Sequence, residues 1–84
     1  MTTKLIFSVY DRAHGAYANP FYVPTIALAM RSFRDEVNRA ERDNLMYTHP
    51  EDFELVHLGS WDERTGTFDN IESVCIAKAS NLKE

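Results

Sequence analysis

Three histidines (His14, His49 and His57), one cysteine (Cys75) and thirteen Asp and Glu residues are the side chains with the chemistry for acid–base, nucleophilic or metal-ion work. Their spacing serves none of these well. No two histidines stand at i and i+4, the spacing that lets one helix face hold a divalent ion. The chain contains no glycine-rich phosphate loop, no nucleophile elbow and no paired-cysteine deaminase pattern. Cys75 has no evident base beside it and reads as a small buried hydrophobe. Asp62, Glu63 and Asp69 would make a cation site if they converged, but an Asp opening a hairpin turn ordinarily bonds its own backbone. The expectation is a protein with no catalytic residues, no metal and no cofactor, and not an enzyme.

The arginines say more. Arg31, Asp35 and Arg39 follow one another at i, i+4, a solvated charge ladder on a helix. Arg34 and Arg42 have no acid at that spacing. With Arg31, Asn38 and the approach through Asn19 they outline a small anion-binding flank, diluted by Glu36 and Glu41. Tyr10, Tyr17, Phe21 and Tyr22 either cover a core edge or offer rings on which bases stack. The nucleic-acid candidates are therefore Arg31, Arg34, Asn38, Arg42, Tyr17 and Tyr22, and an arginine flank predicts binding that falls steeply with salt.

These side chains need elements to carry them. Ile26, Ala29, Met30, Phe33, Val37 and Ala40 fall on one stripe at 100° per residue, which predicts an amphipathic helix over Pro24–Asn38, with Thr25 as N-cap or Pro24 in the first turn. Lys4–Asp11 is rich in β-branched and aromatic residues and reads as a central strand. Ala13–Val23, with Gly15, Asn19 and Pro20, reads as punctuation. Arg39–Pro50 reads as a loop in which Leu45, Met46 and Tyr47 are an apolar island. Phe53–Trp61 predicts a second strand, and Asp62–Gly66 a turn into a returning strand that sets Trp61 against Phe68. For Ile71–Leu82, the spacing of Ile71, Val74, Cys75 and Ala79 favours a helix, with a short strand at Val74–Ile76 as the alternative. The expected fold is α+β, one domain over residues 1–84, a small β-α-β-β sheet with one main helix on one face.

Leu5, Phe7 and Val9 alternate with Ile6 and Tyr10, and Phe53 and Leu55 with Val56 and Leu58, so both sheet faces look apolar while one helix covers only one. Ile6, Tyr10, Val56 and Leu58 are then candidates for an oligomer or partner interface. Leu28, off the core stripe, marks a protein contact on the helix. A homodimer is the simplest cover for the second face.

Composition agrees with a small assembly. A chain of 84 residues buries a modest fraction of its surface, and association adds to it. One cysteine permits no intrachain disulfide and fits a reducing cytoplasm. No apolar run approaches a membrane span, and the chain start shows no secretory pattern, so neither insertion nor secretion is expected. Residues 1–42 carry six Lys and Arg against four Asp and Glu, and residues 43–84 carry three against nine. Any nucleic-acid contact must therefore be local and in the first half.

Several strings in fixed order resemble one family: Ser8-Val9-Tyr10-Asp11, Asn19-Pro20-Phe21-Tyr22, Arg31 to Asn38, His49-Pro50-Glu51-Asp52-Phe53, Gly59-Ser60-Trp61-Asp62 and Thr65-Gly66. Together the order resembles the small nonstructural ORF5 protein of gokushovirus-type single-stranded DNA phages of the Microviridae. The resemblance departs over Arg39–Tyr47 and after Asn70. It implies a non-virion protein of the infected bacterial cytoplasm, accessory to genome replication or packaging, with single-stranded DNA or a phage replication protein as partner. It brings no catalytic residues. The alternative is a homo-oligomeric adaptor that binds a phage or host protein without touching nucleic acid.

Overall fold

The computed structural model describes residues 3–84; Met1 and Thr2, part of the chain start read above, lie outside the described residues. The elements are β1 (Thr3–Asp11), β2 (Ala16–Tyr17), β3 (Phe21–Val23), α1 (Ile26–Val37), α2 (Leu45–Thr48), a 3₁₀ turn (Pro50–Asp52), β4 (Phe53–Asp62), β5 (Thr67–Lys78) and α3 (Ala79–Leu82). The strands form an open antiparallel sheet in the order β2-β1-β4-β5, with β3 also paired to β1. The domain is mixed α and β, as expected, but three strands rather than one precede the main helix, so the order is not the expected β-α-β-β.

The main helix starts where its sequence signals it. Thr25 is extended, and its hydroxyl accepts the Leu28 amide, a donor that the helix leaves unpaired. It ends at Asn38, so it stops short of Ala40. Ala29, Phe33 and Val37 are buried and Met30 packs against them, while Ile26, at the start of the stripe, is exposed. Against this face lie Phe7 and Leu55, both fully buried, with Phe53 and, from α3, Ala79. Burying a side chain such as Phe7 or Leu55 contributes about 1.5–3 kcal/mol.

Two turns share one construction. Asp11 and Asp62 each accept backbone amides on Oδ1, from Ala13 and His14 and from Arg64 and Thr65. Gly15 and Gly66 close them at φ of 76° and 69°, a region that an L side chain disfavours. The second turn sets Trp61 opposite Phe68, as expected, with ring centroids 4.8 Å apart.

Three stretches differ from the sequence reading. Ala13–Val23 is not only punctuation: β2 and β3 both pair along the outer edge of β1, and Ala18–Pro20 joins them as an irregular stretch whose Ala18 amide still donates to the Val9 carbonyl at 2.9 Å. In Ile71–Leu82 the helical reading gives way to strand as far as Lys78, because ladder bonds to β4 outweigh a short apolar period; only Ala79–Leu82 is helical. The apolar island becomes α2, since the Asn44 side chain caps it through the Met46 amide.

Strict alternation also breaks. Ile6 pairs with Gly59 and Phe7 with His57, so Leu58 is an extra residue in a bulge, and on the other side Gly59 pairs with Asn70 while His57 pairs with Val74. Gly59 lies so close to β5 that a Cβ there would sit 2.5 Å from the Asp69 carbonyl oxygen. The domain is long for its size, 42 × 24 × 19 Å, because the three long strands outrun the helix.

Candidate functional site

Register assigns the side chains to faces. Leu5, Phe7 and Val9 point to the helix, so Lys4, Ile6, Ser8 and Tyr10 point away from it. Tyr17 stands opposite Tyr10, Tyr22 opposite Ile6, and Trp61 opposite both Lys4 and Phe68. The face turned away from the helix therefore carries Tyr10, Tyr17, Tyr22, Trp61 and Phe68. Tyr10 and Tyr17 have ring centroids 4.8 Å apart, as do Trp61 and Phe68. Tyr17, Tyr22 and Phe68 are 51%, 45% and 59% exposed.

The middle of this face is closed. Ile6 and Val56 are 7% and 4% exposed although neither joins the core under the helix. Ser8 is also buried, and its hydroxyl donates to the Ala18 carbonyl at 2.7 Å. Of the expected interface residues, Ile6 and Val56 are thus already buried within the chain. Tyr10 is half-buried at one end and Leu58 half-buried in the bulge, while Leu28 is exposed on α1, away from this face. These residues do not form one surface.

Charge on the aromatic face is nearly balanced. Lys4 Nζ lies 3.8 Å from Glu63 Oε1, Arg12 lies 2.6 Å from Glu54 Oε1, and Lys78 stands opposite Glu54. The arginine flank lies elsewhere. Arg31 and Arg34 are exposed on α1 and Arg42 in the loop beyond it, and none has an ion-pair partner among the described residues. The expected ladder does not form, because Arg39 turns instead to Glu36 and makes two bonds, 2.9 and 2.7 Å. Those bonds hold the Glu36 carboxyl below its usual range, against a smaller opposing effect of burial.

Asn38 belongs to the fold. Its amide donates to the carbonyls of Arg34 and Leu82, both at 3.0 Å, and its oxygen accepts the Glu84 amide at 2.7 Å. The six nucleic-acid candidates therefore divide: Arg31 and Arg34 on the exposed side of α1 with Arg42 in the loop beyond it, tyrosines on the opposite surface of the sheet, and Asn38 committed between α1 and the chain end. Trp61 and Phe68 join the tyrosines but were not among the candidates. The bulge at Leu58 shifts the alternation of β4, so Trp61 shares a face with Val56 despite its odd number; Gly59 is the sequence signal of that shift.

The remaining polar groups are accounted for locally. His57 stacks on Phe7 with centroids 4.9 Å apart, and its Nε2 meets the Gly59 carbonyl oxygen at 3.0 Å. Asp62 caps its turn, and no group of three or more His, Cys, Asp or Glu converges among the described residues. Cys75 is exposed, contrary to the reading as a buried hydrophobe, because β5 is an edge strand; partial burial and the nearby Glu54 carboxylate still push its thiol up. A groove of about 510 Å³ opens between α1 and the β2 edge, floored by Val9, Phe21 and Phe53 and rimmed by Asp11, His14 and Asn19. No helix is long and apolar enough to cross a membrane among the described residues.

A family model described as Phage ORF5 protein matches residues 4–82. Protein ORF5 of Chlamydia phage 1 is 30% identical over 69 residues, covering 80% of this chain and 72% of that protein. No solved structure matches.

Proposed function

The chain belongs to the Phage ORF5 protein family, and on that premise we propose that it is a non-catalytic accessory factor in phage genome synthesis and packaging that binds single-stranded DNA on the aromatic face of its sheet. The observation that carries this reading is the set Tyr10, Tyr17, Tyr22, Trp61 and Phe68 on one side of the sheet, three of them exposed. Successive bases stack on such rings whatever their sequence, each contributing about 1–3 kcal/mol. Lys4 and Lys78 are the cations that the same face offers to phosphates, and Arg31, Arg34 and Arg42 lie outside it. The absence of catalysis is part of the proposal. The protein would act in the host cytoplasm and stay out of the virion.

Fluorescence anisotropy with labelled single-stranded oligonucleotides tests it. Two phosphate contacts give a salt slope near −1.4 in log K against log salt, at about −0.7 each, against about −2.1 for a flank of three arginines. Tyr17→Ala or Trp61→Ala should weaken binding by roughly 5- to 150-fold, the equivalent of one stacked base. Flat anisotropy at low salt and high protein concentration would sink the reading.

A second reading has its own support: the protein acts as a homo-oligomeric adaptor. The aromatic face is nearly neutral, the chain as a whole is at −4, and Phe68, Ile71 and Val74 are exposed along β5. Such a surface suits another protein at least as well as a polyanion.

A further inference from the structure

We propose that the aromatic face grips a single strand of DNA at two separate stations, one at each end of the sheet, and lets the nucleotides between them bridge; this inference rests on the DNA-binding reading above. The stations are two rows of side chains that run across the sheet. Tyr17, Tyr10, Glu54 and Lys78 stand opposite one another on β2, β1, β4 and β5. Lys4, Trp61 and Phe68 do the same on β1, β4 and β5. Along β1, Tyr10 lies six residues beyond Lys4, which at about 3.4 Å each sets the rows about 20 Å apart.

The two rows are built alike. Each holds two rings with centroids 4.8 Å apart, tilted by 53° in one pair and 47° in the other. In each pair a half-buried ring, Tyr10 or Trp61, backs an exposed one, Tyr17 or Phe68. A backed ring is held in place before a base arrives, so stacking costs it little freedom. Each row also has one lysine for a phosphate. Lys4 makes only an exposed pair with Glu63 at 3.8 Å, a contact of small worth. Glu54 is held by Arg12 at 2.6 Å, and Lys78 has no ion-pair partner among the described residues.

The face between the rows lacks this construction. Beside Ile6 stand Gly59, which has no side chain, Asn70 and, on the β3 edge, Tyr22. The next row is Ser8, Val56 and Cys75, of which the first two are buried. Neither of these rows has a cation, and Tyr22 pairs with no other ring among the described residues. A strand held at both ends therefore crosses the middle without being gripped there. At the roughly 3.4 Å per nucleotide of a stacked strand the crossing takes about six nucleotides, so two adjacent nucleotides reach one station only. Joining the two contacts through one strand raises the affinity well above that of either alone.

Two ten-nucleotide strands of identical composition test this on the unaltered protein. One has thymine at its second and eighth positions and abasic sites elsewhere; the other has its two thymines adjacent at the centre. By fluorescence anisotropy the spaced strand should bind at least about fivefold tighter than the adjacent one, the equivalent of one more stacked base. Decathymidylate should bind at least about 100-fold tighter than dithymidylate, which should load two per chain. Tyr17→Ala and Phe68→Ala, both at exposed positions, should each bring the spaced and adjacent strands to equal affinity. Equal binding of the two strands by the unaltered protein, with decathymidylate still bound, would overturn the two stations and leave the DNA-binding reading standing. No binding of decathymidylate at low salt would overturn both.

Discussion

Replacing Asn38 with alanine separates the two roles this residue has been given, contact for an anion or tether for the chain end. The side chain makes two bonds across the domain, to the Leu82 carbonyl at 3.0 Å and from the Glu84 amide at 2.7 Å, besides capping the Arg34 carbonyl. A neutral intramolecular hydrogen bond contributes about 0.5–1.5 kcal/mol net, so the two long-range bonds together hold about 1–3 kcal/mol. In a domain of this size each kcal/mol moves the thermal midpoint by about 4–8 °C. Asn38→Ala should therefore melt roughly 4 to 24 °C below the unaltered chain, followed by far-ultraviolet circular dichroism and Trp61 fluorescence. Asn38→Asp keeps an acceptor for the Glu84 amide and loses both donors, so it should fall between. If the end of the chain comes free in the folded state, the urea m-value should drop as well, because less surface is left to expose. Oligonucleotide affinity, corrected for the folded fraction, should stay unchanged. A midpoint within about 2 °C of the unaltered protein, or lost DNA binding with stability intact, would refute the tether.

Other perturbations follow from the same structure. Gly59→Ala forces a methyl group against the Asp69 carbonyl oxygen and should cost at least about 2 kcal/mol in urea denaturation, as overpacking against backbone does. Thr25→Ala removes the acceptor for the Leu28 amide and should cost about 1 kcal/mol, with Thr25→Ser near neutral. The Glu36 carboxyl titrates lower in the folded chain than in the unfolded one. Its stabilisation is therefore complete above the unfolded pKa and is lost as pH falls through the folded one. An NMR titration should place its midpoint below that of the same carboxyl in Arg39→Ala.

What the sequence made legible was local. The helix over Ile26–Val37, its Thr25 cap and the Trp61–Phe68 pair rest on a 3.6-residue period, a hydroxyl three residues from its target and a glycine in a turn, all within a few positions of one another. What escaped it depends on partners far along the chain. β2 and β3 exist because β1 offers them an edge, and Asn38 is a tether because Leu82 and Glu84 arrive more than forty residues later. β5 imitated a helix because Ile71, Val74 and Cys75 are spaced as one, and only β4 decides otherwise. The candidate site suffered from the same limit: Tyr17 and Tyr22 were recognisable as rings without a role, but the bulge at Leu58 hid that Trp61 stands beside them rather than with the arginines.

The long strands also outrun the core in a way that bears on motion. The buried cluster under α1 reaches about as far as Leu5 and Val23, while β1, β4 and β5 continue to Thr3, Asp62 and Thr67 as a three-stranded blade with no helix over it. Backbone bonds in such a blade open without disturbing the packed end. Amide hydrogen exchange should therefore run in two tiers, slow around Phe7 and Leu55 and fast around Lys4, Trp61 and Phe68. Any partner that seats on the blade would merge the tiers, so the occupant of that end can be detected by the protons it slows before it is identified.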